Sequence, residues 1–153
     1  MNEADAPPSV AAVLEQVDRG WQRFNGALAA LPAERMGDRL GGGWTRKQML
    51  AHITAWHDLT SDRLADFMKD GEIHALDDHE DVVNARVARK AEGRTMGEIL
   101  DALQTSFRRV RRQISYLTDH QLRAHDGWPA AIIAGNTYEH YEEHLADLEV
   151  AGV

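Results

Sequence analysis

The chain of 153 residues contains no cysteine. This absence excludes disulfide bridges, thiolate metal sites and a cysteine nucleophile. The sequence also lacks any run of about 20 apolar residues, which a membrane-spanning helix would need. Its first ten residues, MNEADAPPSV, have neither the basic patch nor the apolar stretch of a secretory signal peptide. We therefore expect a soluble cytoplasmic protein with no membrane partner, forming a single domain over residues 1–153 with residues 1–8 disordered.

Basic residues are in the minority, with 17 lysines and arginines against 25 acidic residues and a formal net charge of −8. Binding to nucleic acids is driven by neutralisation of phosphates, so this balance predicts no nucleic-acid partner. The one basic run, RRVRR over residues 108–112, lies in a segment with helical periodicity. We interpret it as a solvated helix face.

Apolar residues recur every three or four positions in four long segments, and no strand pattern competes with them. The first segment follows Ser9, a favourable N-cap residue. The second and third follow Thr45 and Thr95, each with the spacing of a capping box. The fourth begins between Pro129 and Asn136. Four such segments predict an all-α protein.

The connection between the second and third segments is long, covering roughly residues 72–94. It contains the acidic stretch LDDHEDVV and a predicted short helix from Val82 to Lys90. A long crossover is a recognised connection in helix bundles. The sequence therefore predicts a four-helix bundle with a long crossover connection between helices 2 and 3.

Three of the eight histidines have positions that suit a metal site. His52 falls on the apolar face of the second predicted helix, where it is either a hydrogen-bonded core histidine or a ligand. His140 and His144 are four residues apart on the fourth helix, so both leave the same side, either as a polar boundary row or as paired ligands. Facing helices of a bundle are where such residues meet. The pattern predicts a three-histidine metal site. A hydrogen-bonded core histidine at position 52 and a polar boundary row at His140 and His144 remain the alternatives.

Three stretches carry a family resemblance: GGGWTRKQMLAHITAWHD, the segment from DDHEDVVNARVARK to SYLTDHQL, and GNTYEHYEEHLADL. Together they resemble the DinB-like four-helix-bundle superfamily, and most closely its ClbS/DfsB branch. The resemblance runs from about residue 10 to 149. It implies a divalent metal on His52, His140 and His144, with zinc and nickel both suited to imidazole. It also implies a homodimer.

The resemblance leaves three functions open. The first is a metal-dependent enzyme that acts on a small electrophile by hydrolysis or thiol transfer, in detoxification or self-resistance. Its predicted catalytic residues are Glu143 as base and Tyr141 as proton donor, with Trp56 as a pocket wall and His57 next to the ligands. The second is a protein that sequesters a small molecule, with a structural metal or none. The third is an interaction module.

Overall fold

The computed structural model describes residues 7–149. Over this range the protein is all-α, and an isolated bridge between Arg39 and Thr45 is the only β-type pairing. The predicted all-α fold class is therefore confirmed. The helices are α1 (Val10–Ala30), α2 (Arg46–Asp70), α3 (Glu80–Glu92), α4 (Met96–Ser115), α5 (Asp119–Asn136) and α6 (Tyr138–Leu145), with 3-10 turns at Ala33–Arg35 and Ala146–Leu148.

Capping residues set the helix starts. The side chains of Ser9, Thr45 and Thr95 each accept a backbone N–H from the first turn of the helix that follows. These three starts match the predicted ones. Thr118 forms a further reciprocal capping box with Gln121 and starts α5. No helix was predicted directly after residue 118, although Thr118 and Gln121 have the spacing of a capping box.

The core lies between two pairs of helices, with α2 packed on α4 and α1 packed on α6. Its central side chains are almost fully buried and come from α1, α2 and α4, among them Phe24, Leu50, Leu103 and Ile114. The regular apolar stripe of the third predicted helix is the buried face of α4. Burial of these stripes is the main stabilising contribution to the bundle.

The chain changes direction twice near its C-terminal helices, once before the fourth predicted helix and once at Thr137. Within α5, residues His125, Asp126 and Gly127 have positive φ values of 50°, 55° and 83°. The kink is held by His125, whose ring nitrogen lies 2.7 Å from the carbonyl oxygen of Gly71. A second break at Thr137 separates α5 from α6. The periodicity of the sequence did not indicate these changes of direction.

The crossover connection contains α3, as predicted, and the helix extends two residues beyond the predicted bounds at each end. α3 packs on α2, where the side-chain amide of Gln48 donates a hydrogen bond of 3.1 Å to the carbonyl oxygen of Ala88. α2 itself ends at Gly71, whose φ of +74° is the left-handed conformation that glycine adopts without strain. α3 therefore packs beside the N-terminal half of α2, where His52 lies.

Within residues 7–149, no helix combines the length and the apolar character that crossing a bilayer would need. The predicted cytoplasmic location and single domain stay predictions. Residues 1–6 lie outside the described range, so the predicted disorder of residues 1–8 is not assessed there. The carbonyl oxygen of Pro8 accepts a hydrogen bond of 2.8 Å from Arg123.

Candidate metal centre

His52 lies on the inward face of α2, about two turns after the helix starts. Its side chain is buried, with 8% of the residue exposed. Its Nε2 atom lies 2.9 Å from the Nε2 atom of His140 on α6. The position of His52 in the apolar stripe therefore places it inside the bundle, facing a second histidine.

His140 and His144 extend from the same side of α6, with ring centroids 4.8 Å apart. The ring of His144 also lies 5.4 Å from that of His52. One ligand nitrogen from each of the three histidines can be chosen so that all lie within 4.8 Å of one another. The structure thus brings together the three residues that the sequence predicts as ligands.

Two side-chain acceptors orient the rings. Asp147, one turn after His144, has its Oδ2 atom 2.8 Å from the Nδ1 atom of His144. Asn84 on α3 has its Oδ1 atom 3.0 Å from the Nδ1 atom of His52. Arg46 holds the backbone of Asp147 through a 2.6 Å hydrogen bond from its Nε atom. The contacts of Asp147 and Asn84 with the histidines both use Nδ1 and leave Nε2 free for the centre of the cluster. Outer partners of metal-binding histidines commonly do so.

Burial favours the neutral form of two of the clustered imidazoles, those of His52 and His140. Desolvation, with a smaller contribution from His144, lowers the pKa of His52 to about 4. Desolvation, followed by repulsion from the neighbouring histidines, lowers the pKa of His140 to about 3. Neutral imidazole is the form that ligates a metal, because the lone pair must be available. The cluster is therefore prepared to bind a cation near neutral pH.

The donor set fits a divalent metal ion. Two nitrogens 2.9 Å apart, each bonded at about 2.1 Å, would subtend an angle of about 90° at the ion. The outer separation of 4.8 Å exceeds the ~4.2 Å that two such bonds can span. Binding would therefore draw the rings slightly closer. Among residues 7–149 the buried Nδ1 atom of His140 finds no hydrogen-bond partner, so this part of the protein holds that ring less firmly than the other two.

The two predicted catalytic residues lie in different surroundings. Tyr141 is 1% exposed and sits in the core, with its hydroxyl oxygen 2.6 Å from the Nε2 atom of His57. Burial raises the pKa of Tyr141 well above its usual value. Glu143 is exposed on the outer side of α6. Their catalytic roles stay predictions.

Aromatic rings flank His52 on two sides. The ring of Trp56 lies 6.5 Å from that of His52, and the ring of Trp44 lies 5.1 Å from it. Trp56 was predicted as a wall of the site. Trp44 comes from the glycine-rich connection before α2, which has no periodicity from which its position could be read. His57, by contrast, is fully buried on the core side of α2, with Ser106 and Tyr141 as its partners.

Sequence reasoning missed Asn84 and Asp147. A signal existed for Asp147, because it follows His144 by three residues and so lies one helical turn away on the same side. No comparable signal existed for Asn84. Its position depends on how α3 docks against α2, and that is a tertiary contact between residues 32 apart.

A large cavity lies apart from the histidine cluster. It has a volume of about 970 Å³ and lies along the C-terminal half of α2, with α3 and residues 74–78 as its other walls. Its lining mixes acids such as Asp66 and Asp77 with bases such as Lys69 and Lys90. Its opposite charges do not indicate one class of ligand, whereas the three histidines indicate a metal ion.

Comparison with known proteins supports the fold. Residues 16–147 match the family model described as the DinB superfamily. The crystal structure of the colibactin self-resistance protein ClbS in complex with a dsDNA superposes with a TM-score of 0.78 at 14% sequence identity, covering 94% of this chain and 95% of that one. Comparison with curated proteins gives no match.

The ClbS structure contradicts the predicted absence of a nucleic-acid partner. That protein was crystallised with double-stranded DNA, so the partner prediction made from net charge is wrong. The physical reason is that net charge sums over the whole chain, whereas contact with phosphates requires only one local basic surface. In the run over residues 108–112 two of the four arginines are already neutralised, because Arg109 pairs with Asp58 and Asp62, and Arg111 pairs with Asp18.

Proposed function

The chain belongs to the DinB superfamily, and from that premise we propose that it is a metal-dependent enzyme acting on a small electrophilic molecule by hydrolysis or thiol transfer. His52, His140 and His144 would hold the divalent ion, with zinc and nickel as the expected metals. The observation that carries the proposal is the convergence of three histidines from two helices at one buried point. The name of ClbS as a self-resistance protein supports a toxic small molecule as substrate.

The protein's own groups have separate roles in this proposal. A divalent ion on three neutral ligands keeps its full charge and would supply Lewis acidity for addition of water or a thiol. His52 and His140 supply neutral lone pairs, because burial keeps them unprotonated. Asp147 orients His144. The ring of Trp56 shields His52 from bulk water, which strengthens electrostatic interactions in the site.

The proposed metal site is tested by measuring the metal content per chain. Elemental mass spectrometry of untagged protein should give about one zinc or nickel ion per chain after incubation with either salt. The double variant His140→Ala/His144→Ala should lose the ion. A His74→Ala/His120→Ala variant is the matched control, because it removes two exposed histidines outside the cluster and should keep the ion. A parent protein that binds neither metal would overturn the proposal.

The activity is tested by the mass of a recovered compound. Electrophiles are incubated with the metal-loaded protein, with and without low-molecular-weight thiols, and analysed by mass spectrometry. We expect a mass increase corresponding to water or thiol addition, absent in the His52→Ala variant. Protection of the compound with no change in its mass would favour the alternative, a small-molecule-binding protein that sequesters its ligand.

Glu143 is proposed as the general base because it is an exposed carboxylate directly before His144 on α6. Positioned bases contribute roughly 10²–10⁴-fold to rate, so Glu143→Gln should lower turnover by at least about 100-fold without loss of metal. Glu142→Gln is the control, since Glu142 is equally exposed and pairs with Arg23 instead. Equal turnover of both variants would remove Glu143 from the mechanism.

A second function, binding of double-stranded DNA, is favoured by the surface of α3 together with the ClbS complex. Arg86, Arg89 and Lys90 are exposed at helical spacings of three and four residues and so share one side of α3. Arg86 is partly neutralised by Asp78 at 2.7 Å, which leaves Arg89 and Lys90 as the main phosphate contacts. This surface lies on the same helix as Asn84, whose side chain contacts His52.

Fluorescence anisotropy with a labelled duplex tests this function. Arg89→Glu/Lys90→Glu should weaken binding at least about tenfold and reduce the slope of log K against log salt by about 2. Arg108→Glu/Arg112→Glu on α4 is the charge-matched control and should bind like the parent. Equal effects of the two variants would mean that only net charge matters, and the α3 surface would then be rejected.

A further inference from the structure

Asn84 joins the crossover helix α3 to the histidine cluster. Its side-chain oxygen receives two contacts, from the indole Nε1 of Trp56 at 2.8 Å and from the Nδ1 of His52 at 3.0 Å. Both contacts converge on one atom, Oδ1, and carbonyl oxygens have two lone pairs to accept them. The three residues come from two different helices, so this junction forms only when α3 is docked on α2.

The junction determines which nitrogen of His52 carries the proton. Indole nitrogen is a donor only, so the atom of Asn84 that faces Trp56 must be the oxygen and not the amide nitrogen. The same oxygen then faces His52, whose Nδ1 must donate. A neutral imidazole has one N–H, so Nε2 of His52 keeps its lone pair and presents it to His140.

Asp147 acts in the same way on His144. A carboxylate is an acceptor only, so the Nδ1 atom of His144 donates to it at 2.8 Å and Nε2 keeps the lone pair. His140 has no such partner, because its buried Nδ1 atom is without a hydrogen bond. Two of the three candidate ligands are therefore held in the ligating tautomer, His52 by a residue of α3 and His144 by a residue of the 3-10 turn after α6.

We propose that Asn84, held by Trp56, is a positioning residue that sets the tautomer of His52 and thereby the metal affinity of the cluster. The inference rests on the proposed metal site for its effect on affinity, but the tautomer itself does not depend on a metal. It also assigns a role to the crossover helix: docking of α3 and metal binding are linked, since each favours the other.

Zinc affinity provides the first test, measured by competition with a chromogenic chelator. Loss of an outer partner of a ligating histidine typically costs 10–100-fold in affinity, and we expect that loss in Asn84→Leu, which keeps the size but removes the acceptor. Asn84→Asp keeps an acceptor for both donors, so it should bind within about threefold of the parent or more tightly. Ala85→Leu, at an exposed position of α3 next to Asn84, should bind like the parent.

The rescue by aspartate separates positioning from packing. If Asn84 served only to fill space, the leucine variant would bind zinc as well as the parent, and that result would overturn the inference. Equal weakening in the leucine and aspartate variants would also overturn it, because an acceptor would then make no difference. Trp56→Phe should weaken binding less than Asn84→Leu, since it leaves the amide free to turn but does not remove its oxygen.

The tautomer provides a second test in metal-free protein, by nitrogen NMR of the histidine side chains. The parent and Asn84→Asp should show His52 protonated at Nδ1, whereas Asn84→Leu should move the proton to Nε2. An Nε2-protonated His52 in the parent would overturn the inference. If the parent bound neither zinc nor nickel, the proposed function would fail while this measurement still decided the role of Asn84.

Discussion

At the scale of single residues, the proton of Tyr141 is held by a buried chain of hydrogen bonds. The hydroxyl of Ser106 donates to the carbonyl oxygen of Leu103 at 3.0 Å and so accepts from Nδ1 of His57 at 2.8 Å. Nε2 of His57 then accepts from the Tyr141 hydroxyl at 2.6 Å. A phenol committed in this way, whose pKa burial raises well above its usual value, is poorly placed to give its proton to a substrate.

We therefore expect Tyr141→Phe to affect stability and leave the metal centre intact. The substitution leaves a buried nitrogen of His57 without its donor, which should lower the free energy of unfolding by about 1–3 kcal/mol. Urea unfolding and metal content per chain measure the two effects. Loss of turnover in a variant with parental stability and metal content would instead support Tyr141 as the catalytic proton donor.

At the scale of helices, α1 and α6 approach closely at Gly20. A Cβ atom added there would lie 2.9 Å from Cβ of Tyr138 and 3.2 Å from its Cα. Because those atoms are close to the α6 backbone, they cannot move without moving the helix. We expect Gly20→Ala to destabilise the protein by about 1–3 kcal/mol, the usual cost of overpacking. Thermal or urea unfolding measures the change.

Gly26→Ala is the matched control for Gly20→Ala. Gly26 lies in the same helix, and an added Cβ atom would meet nothing within 4 Å. Alanine is favoured over glycine inside a helix by about 1 kcal/mol, so this variant should be stabilised. Two Gly→Ala changes in one helix are thus expected to have opposite signs. Stabilisation by both would show that α1 and α6 are not in close contact at Gly20.

The helices also show which parts of the fold the sequence could predict. Capping threonines and apolar stripes are local signals, and they located α1, α2 and α4, as well as α3 to within two residues. The left-handed residues His125 and Asp126 lie at a tertiary contact, from His125 to Gly71. Periodicity carries no information about such a contact, and neither the first part of α5 nor the break at Thr137 was predicted from the sequence.

The residues of the candidate site were likewise predictable from the sequence only in part. The histidines were predictable because helical spacing decides which side chains share a face. Asn84 was not, because no pattern in residues 72–94 shows how α3 is turned towards α2. The predicted absence of a nucleic-acid partner was wrong for a related reason. A sum of charges carries no information about where the arginines of α3 and the acids of other helices lie.

At the scale of the whole molecule, the buried histidines link folding to pH. Burial lowers the folded-state pKa of His57 and of His140 to about 3 and that of His52 to about 4, all from an ordinary value of 6.5. At pH values between the folded-state pKa of each histidine and 6.5, the unfolded chain binds protons that the folded protein does not. The free energy of unfolding of the metal-free protein must therefore fall as pH drops below about 6.5.

We expect a steep dependence, because each histidine contributes up to about 1.4 kcal/mol per pH unit. Together the three give a slope of at most about 4 kcal/mol per pH unit between pH ~6 and ~4. Urea unfolding of metal-free protein across this range measures it. The double variant His52→Gln/His140→Gln removes two of the three groups, so its slope should fall to about one third. An unchanged slope would mean that these histidines are charged in the folded protein, which is incompatible with a cluster of neutral ligands.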